Sequence, residues 1–339
     1  MRKVSTGIVI FLLLNVFLVF FTYGNCEAGK ILYVGGTKTE NYTSIQTAID
    51  DASEGDTIFV FSGTYNESIV VNKSINLIGE DKNRTILDIN KSEHYAILLQ
   101  AQGVNISGLT IQNCTVGIYV VGYGNVSQNN IIMNNNITNN FGGIYLSNYS
   151  SNNLISGNII TKNNGEGIRL FGSVDNKING NIITKNGGFG IVLWDSSQYN
   201  FISENTILNN LKGIALRRWS NNNIIFENNI TRNRNSGIYI TYSFKNNISE
   251  NNIGNNTFGI YLEDSTKNTI SANYVLGNRY GIYLYDSPNN MIYLENIFSD
   301  NNEDIWDRSR TFKTPSLELP LVVCAFLFVL FLKRNGKMF

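Results

Sequence analysis

The sequence predicts an all-β fold, a right-handed single-stranded parallel β-helix solenoid with an N-terminal capping helix and a C-terminal transmembrane segment. Three observations predict it. A glycine followed by a short aliphatic strand recurs every 22–26 residues, at Gly117, Gly143, Gly167, Gly190, Gly213, Gly237, Gly259 and Gly281. Each unit holds three apolar runs, too short for helices and each closed by Asn, Ser or Gly turn chemistry. A unit of this size has no core of its own; stacked on its neighbours at about 4.8 Å, it pairs every strand with its equivalent and buries a shared column of aliphatics.

In chain order, residues 1–28 are expected to be a signal peptide: Arg2 and Lys3 precede "GIVIFLLLNVFLVFF", and "CEA" places small residues before a cut after Ala28. An uncleaved anchor is the alternative. Residues 29–310 form the β-helix, with the cap and first coils in 31–100 and the regular repeats in 101–310. "SIQTAIDDA" predicts the capping helix, which covers strand edges that an open end would expose. "DTIFV", "GTYNESIVV" and "INLIGE" are the first strands.

Within each glycine strand, alternation places the residues one and three after the glycine inside: Ile144 and Leu146, Ile168 and Leu170, Ile191 and Leu193, Ile260 and Leu262, Ile282 and Leu284. Nine residues after the glycine stand Asn152, Asn176, Asn222, Asn246, Asn268 and Asn290, with Asn200 displaced by one. These are expected both to adopt the left-handed bend and to form an amide ladder from coil to coil. "NNEDIWDRSR", 301–310, reads as the last coil. In residues 311–339, "LELPLVVCAFLFVLFL" precedes Lys333, Arg334 and Lys337, which predicts a membrane anchor with a basic cytoplasmic tail, or a sorting signal removed by processing.

Thr43 to Asp88 resembles the N-terminal cap and first coils of the pectin-lyase-like superfamily of right-handed parallel β-helix proteins. The later repeats resemble its NosD-like branch, common among archaeal surface proteins. "TPSLELPLVV…FLKRN" is similar to the tripartite C-terminal signals of such proteins, with Pro315-Ser316-Leu317 where Pro-Gly-Phe is common. The resemblance implies the fold and leaves function open, because the superfamily hosts lyases, hydrolases, esterases, epimerases and non-catalytic adhesins. NosD-like proteins are linked to copper-centre maturation, yet one His, four Met and no paired Cys offer no copper ligand set. The motifs of polygalacturonases, pectin methylesterases and alginate epimerases have no counterpart here.

Acids and bases balance at 26 each, so no net field draws nucleic acid. Cys26, Cys114 and Cys324 are too scattered for a disulfide framework. Chemistry concentrates where the repeat is corrupted, in "GIRLFGS", "GIVLWDS" and "GIALRRW". There Arg169, Phe171, Trp194 and Arg217 face outward, with Asp195, Arg218 and Trp219 at the bend. Aromatic faces stack on sugars and arginine forks grip carboxylates, so these seven are candidate ligands of an acidic polysaccharide. Coil-to-coil stacking is the competing reading, as for Tyr239, Tyr261 and Tyr283.

"NGEGIRLFG" also resembles a calcium-dependent polysaccharide lyase motif, in which Arg169 would assist proton abstraction beside a uronate. Its spacing is one residue short. No catalytic residue, cofactor or metal site is assigned; Glu263, Asp264 and Asp286 are the only calcium candidates, against solvated bends. Sequons such as Asn41, Asn66, Asn83 and Asn247 permit glycosylation. The leading expectation is a cell-surface, membrane-anchored protein that binds glycans or another envelope component without catalysis. The alternatives are a lyase or glycoside hydrolase acting on a uronate-containing polymer, and a structural spacer rod; the oligomeric state is left open.

Overall fold

A computed structural model describes residues 29–309 apart from 91–93 and 123–126. The expected signal peptide and C-terminal anchor lie outside the described residues. Among those described, no helix is long and apolar enough to cross a membrane.

The chain winds as a parallel β-solenoid with three faces. One coil consists of the strands Phe201–Ser203, Thr206–Leu208 and Lys212–Arg217, after which Ile224–Phe226 begins the next. The first sheet has twelve strands, from Ile31–Val34 to Met291–Ile292. The second and third have eleven each, ending at Ile297–Ser299 and Glu303–Asp307. All strand pairings are parallel, and the register never slips: Ile178 faces Ile202, Ile183 faces Ile207, and Ile191 faces Ile214. A slip of one residue would carry a buried column to the surface, which is why the aliphatic pattern fixes the register. Ile144, Leu146, Ile168, Leu170, Ile260, Leu262 and Ile282 are essentially fully buried, as the alternation predicts.

At the N-terminal end a helix, Ile45–Asp51, turns Ile45, Ala48 and Ile49 into the core. Ser44 accepts the Thr47 N–H as N-cap. The Glu67 carboxylate accepts the Ile45 and Gln46 N–H groups at 2.7 and 3.0 Å, while Lys73 Nζ donates to the Ile49, Asp50 and Ala52 carbonyls. An anion at the helix start and a cation at its end both complement its dipole.

Three asparagine ladders run the length of the regular coils, and they correct the sequence expectation. The column at the first sheet is Asn130, Asn153, Asn176, Asn200, Asn223, Asn246, Asn268 and Asn290, each linked to the next through its Oδ1. Asn152 and Asn222 are not in it. They sit one residue earlier, at φ 55° and 57°. Bending and laddering are thus split between neighbours, since the left-handed residue turns the chain and the amide after it points inward. The rule holds at the other corners: Glu204 precedes ladder residue Asn205, and Lys185 precedes Asn186.

In the regular coils a ladder Oδ1, such as that of Asn223, accepts from both the backbone N–H and the Nδ2 of the preceding coil's Asn200, and the Asn223 Nδ2 also donates to the Ser197 carbonyl of that coil; at the start of the column the Asn130 Nδ2 is buried without a partner. The amides therefore align head to tail, an arrangement that polarises mutually. In the early coils apolar residues hold these positions: Val104, Leu109 and Cys114 donate their N–H groups to Asn130, Asn135 and Asn140. Burial pushes the Cys114 thiol up to about 12, which keeps it an inert core group.

Candidate functional site

The third sheet departs from simple alternation at its glycine. The register skips that residue, pairing Phe189 with Lys212 and then Ile191 with Ile214. A Cβ on Gly190 would meet the interior Ile207 Cγ2 and Asn210 Nδ2, so glycine and the isoleucine after it both face in. The residue before the glycine is consequently thrown outward. This adds Phe189 and Lys212 to the outer face, where strict alternation from the strand core would have hidden them.

Six of the seven sequence candidates converge there. Arg169 lies 5.5 Å from the Trp194 ring and 5.8 Å from Phe171. Arg217 lies over Trp194 at 4.2 Å, and Arg218 approaches the same ring at 5.4 Å while pairing with Asp195 at 3.8 Å. Trp219 stands apart at the bend, 58% exposed and at φ 63°. Beneath these side chains the outward Val192 and Ala215 are fully buried, roofed by Phe189, Trp194 and Tyr239. Trp194 is therefore packed between cations, with its Nε1–H, like the Arg217 Nε–H, buried and without a hydrogen-bond partner. A cation–π contact of this kind contributes about 0.5–2 kcal/mol.

The open space is two coils toward the N-terminus. Tyr119, Tyr145, Ser147, Asn148, Arg169 and Phe171 line a concavity of about 330 Å³. Arg169 enters it with no ion pair among the described residues, 5.5 Å from the Tyr145 ring. The Tyr145 hydroxyl donates to Glu166 Oε2 at 2.5 Å, and Ser147 Oγ donates to the Tyr119 hydroxyl at 2.8 Å. Burial first, and then Glu166, push the Tyr145 phenol well above its ordinary range, so it is a donor and not a base at neutral pH. In "GIYL" this tyrosine is indistinguishable from the stacking tyrosines; the usable signal was Glu166 before the glycine, a carboxylate where the other coils carry Val, Gly, Phe, Lys, Ser or Tyr.

Toward the C-terminus the column behaves as stacking predicts. Tyr239, Tyr261 and Tyr283 follow one another at 5.3 and 5.0 Å, and the Tyr239 hydroxyl donates to Glu263. Lys212 Nζ sits 3.5 Å from the Tyr239 ring centroid. Burial, then Arg217, push its ammonium down to about 8 from 10.5, with Glu263 opposing.

That depression has a defined sign. Between about 8 and 10.5 the unfolded chain holds the Lys212 proton more tightly than the folded protein, so stability climbs with pH across that window and the full penalty applies below it. Tyr145 and Tyr239, raised above 10.0, act in the opposite sense once free tyrosines ionise. Lys212→Met is expected to raise the thermal midpoint at neutral pH and to flatten the climb between about pH 8 and 10. Melting curves of both proteins across that range check it; an unchanged climb in the variant would assign the effect elsewhere.

Among the described residues no group of three or more His, Cys, Asp or Glu converges as a metal site. The calcium candidates are dispersed in role: Glu263 accepts from Tyr239, while Asp264 and Asp286 are bend residues at φ 46° and 44°. His94 is exposed and Cys114 is buried beside Asn140.

A family model described as "Periplasmic copper-binding protein (NosD)" matches residues 49–215 and 190–316. Copper prefers grouped His, Met or Cys donors, and the described residues, with one exposed His, do not fit the metal in that description. A cell surface glycoprotein of Methanothermus fervidus is 35% identical over 99 residues, 29% of this chain and 16% of that protein's length. Among solved structures, the A-module of the Azotobacter vinelandii mannuronan C-5 epimerase AlgE4 superposes with a TM-score of 0.70 at 13% identity, covering 80% of this chain and 95% of the module. Pectate lyase Pel9A gives 0.57 at 16% identity over 86% and 84% of the two chains. At these identities the structural likeness establishes the fold alone. The family model spans most of the solenoid, and the chain belongs to the NosD family.

Proposed function

We propose that the protein is an exported cell-surface solenoid, held to the membrane by its C-terminal segment, that binds an anionic glycan on the outer face of its third sheet without turning it over. The observation that carries the reading is Arg169: a guanidinium free of any ion pair among the described residues, set between aromatic rings in a concavity of about 330 Å³. A planar fork beside ring faces suits a uronate, whose carboxylate and sugar face it meets together. Export is supported by the charged and apolar N-terminal pattern and by the cell-surface relative. The right-handed coil and the capping role of helix Ile45–Asp51 accord with the rule for parallel crossovers and with the helix's seat at the solenoid end.

The expected result is retention of the protein on immobilised polygalacturonate or alginate, weakening with salt. Arg169→Gln lowers that affinity about tenfold, the scale of a charge-assisted hydrogen bond, while Trp219→Ala changes it little. Affinity electrophoresis against a neutral glucan supplies the control. No retention, or equal retention of Arg169→Gln, would overturn the reading.

A second reading, a lyase or epimerase acting on uronate polymers, is favoured by the Tyr145, Glu166 and Arg169 cluster in that same concavity. Appearance of unsaturated uronate, or exchange of the C5 hydrogen with solvent, would select it over binding alone. A rod serving only as spacer predicts neither binding nor turnover.

A further inference from the structure

An Asn followed two residues later by Ser or Thr is an acceptor for an N-linked glycan, and the fold sorts this chain's acceptors by access. Asn66, Asn72, Asn83 and Asn90 are exposed at turns of the first coils. They fall at all three corners of the solenoid, since they lie between successive strands of the three sheets. Asn229 and Asn247 open the three-residue strands Asn229–Thr231 and Asn247–Ser249, where alternation buries the central Ile and presents Asn outward. Asn255 is exposed at a turn with φ 57°.

The remaining described acceptors are committed or covered. Asn41 Nδ2 donates to the Gly35 carbonyl at 2.6 Å, and Asn113 Nδ2 donates to both Asp88 oxygens at 2.9 and 3.1 Å. Asn136 Nδ2 donates to Thr110 Oγ1, and Asn105 Oδ1 is buried. The outward columns of the third sheet, from Tyr119 to Trp306, contain no acceptor. The nearest among the described acceptors is Asn148, half-buried and lining the concavity beside Arg169; Asn125 lies outside the described residues.

We propose that N-linked glycans on Asn66, Asn72, Asn83, Asn90, Asn229, Asn247 and Asn255 sheathe the N-terminal coils and the first two sheets, leaving the third sheet bare, with Asn148 unmodified. The donor is a lipid-phosphate-linked sugar. The Asn Nδ2 to C1 bond forms, the bond from C1 to the phosphate oxygen breaks with its electron pair on that oxygen, and Nδ2 gives up one proton. Folding then requires every attached glycan to point into solvent, which the seven exposed positions satisfy and the buried ones do not.

The inference rests on the export reading, and one preparation separates the two. Intact source cells are shaved with protease to test export, and full-length protein from the same culture is digested for tandem mass spectrometry of each acceptor peptide. Expected are sugar mass additions on the seven exposed asparagines and bare peptides containing Asn105, Asn113, Asn136 and Asn148. A glycan on Asn148, Asn136 or Asn105, or no glycan anywhere, would overturn the sorting. Release of solenoid peptides by shaving shows whether export stands when the sorting falls.

Discussion

Gly213→Ala is expected to destabilise the solenoid by about 3 kcal/mol or more, at the upper end of overpacking costs. The backbone there is not left-handed; the constraint is distance. A Cβ on Gly213 would lie 2.4 Å from the Gly237 carbonyl oxygen of the next coil and 2.4 Å from Ile230 Cγ2. Neither the strand-paired backbone nor the packed isoleucine has room to yield. Gly180 is the control: it has φ +65° with nothing within 4 Å of an added Cβ, so Gly180→Ala costs only the backbone term, about 1 kcal/mol. Chemical denaturation of the two variants measures the contrast. Equal losses would show that the recurring glycine serves conformation and not close approach.

The neighbouring pair Asn222 and Asn223 gives the second large effect. Asn223 accepts the Asn200 N–H at 2.8 Å and the Asn200 Nδ2 at 3.1 Å, and donates to the Ser197 carbonyl and Asn246 Oδ1 at 3.0 and 3.2 Å. Asn223→Ala strands the buried Asn200 N–H and the buried Ser197 carbonyl, which is expected to cost about 3–5 kcal/mol. Asn222→Gly, one residue away in the left-handed bend, is expected to stay within about 0.5 kcal/mol of the parent. A comparable loss from both would return Asn222 to the ladder. Because coils unfold with near-neighbour coupling, broadened transitions are expected in the destabilised variants alongside lowered midpoints.

The coil, its period and its aliphatic columns were legible because a parallel stack repeats one environment, so the same residue type is demanded every 22–26 positions at Ile191, Ile214 and their equivalents. The ladder was legible as a column but not in register. Runs such as Asn221-Asn222-Asn223 satisfy two adjacent positions with one residue type, and only the geometry tells bend from ladder. At the site, Arg169, Phe171, Trp194 and Arg217 were readable as departures from the repeat. Tyr145 was not, because its residue type is shared by coils that merely stack, and Lys212 was not, because the inward glycine breaks the alternation that placed the others.

The ladders also bear on how such a chain changes over generations. Every junction between regular coils is made by the same bonds in the same register, so the face offered by one coil is the face expected by the next. A tandem duplication of one repeat would insert a coil that both neighbours accept, and a deletion would close without a seam. Length is therefore a nearly free variable of this architecture, set by gene arithmetic between two specialised ends, whereas the irregular coils that carry Arg169 and Trp194 can be moved outward or inward along the rod intact.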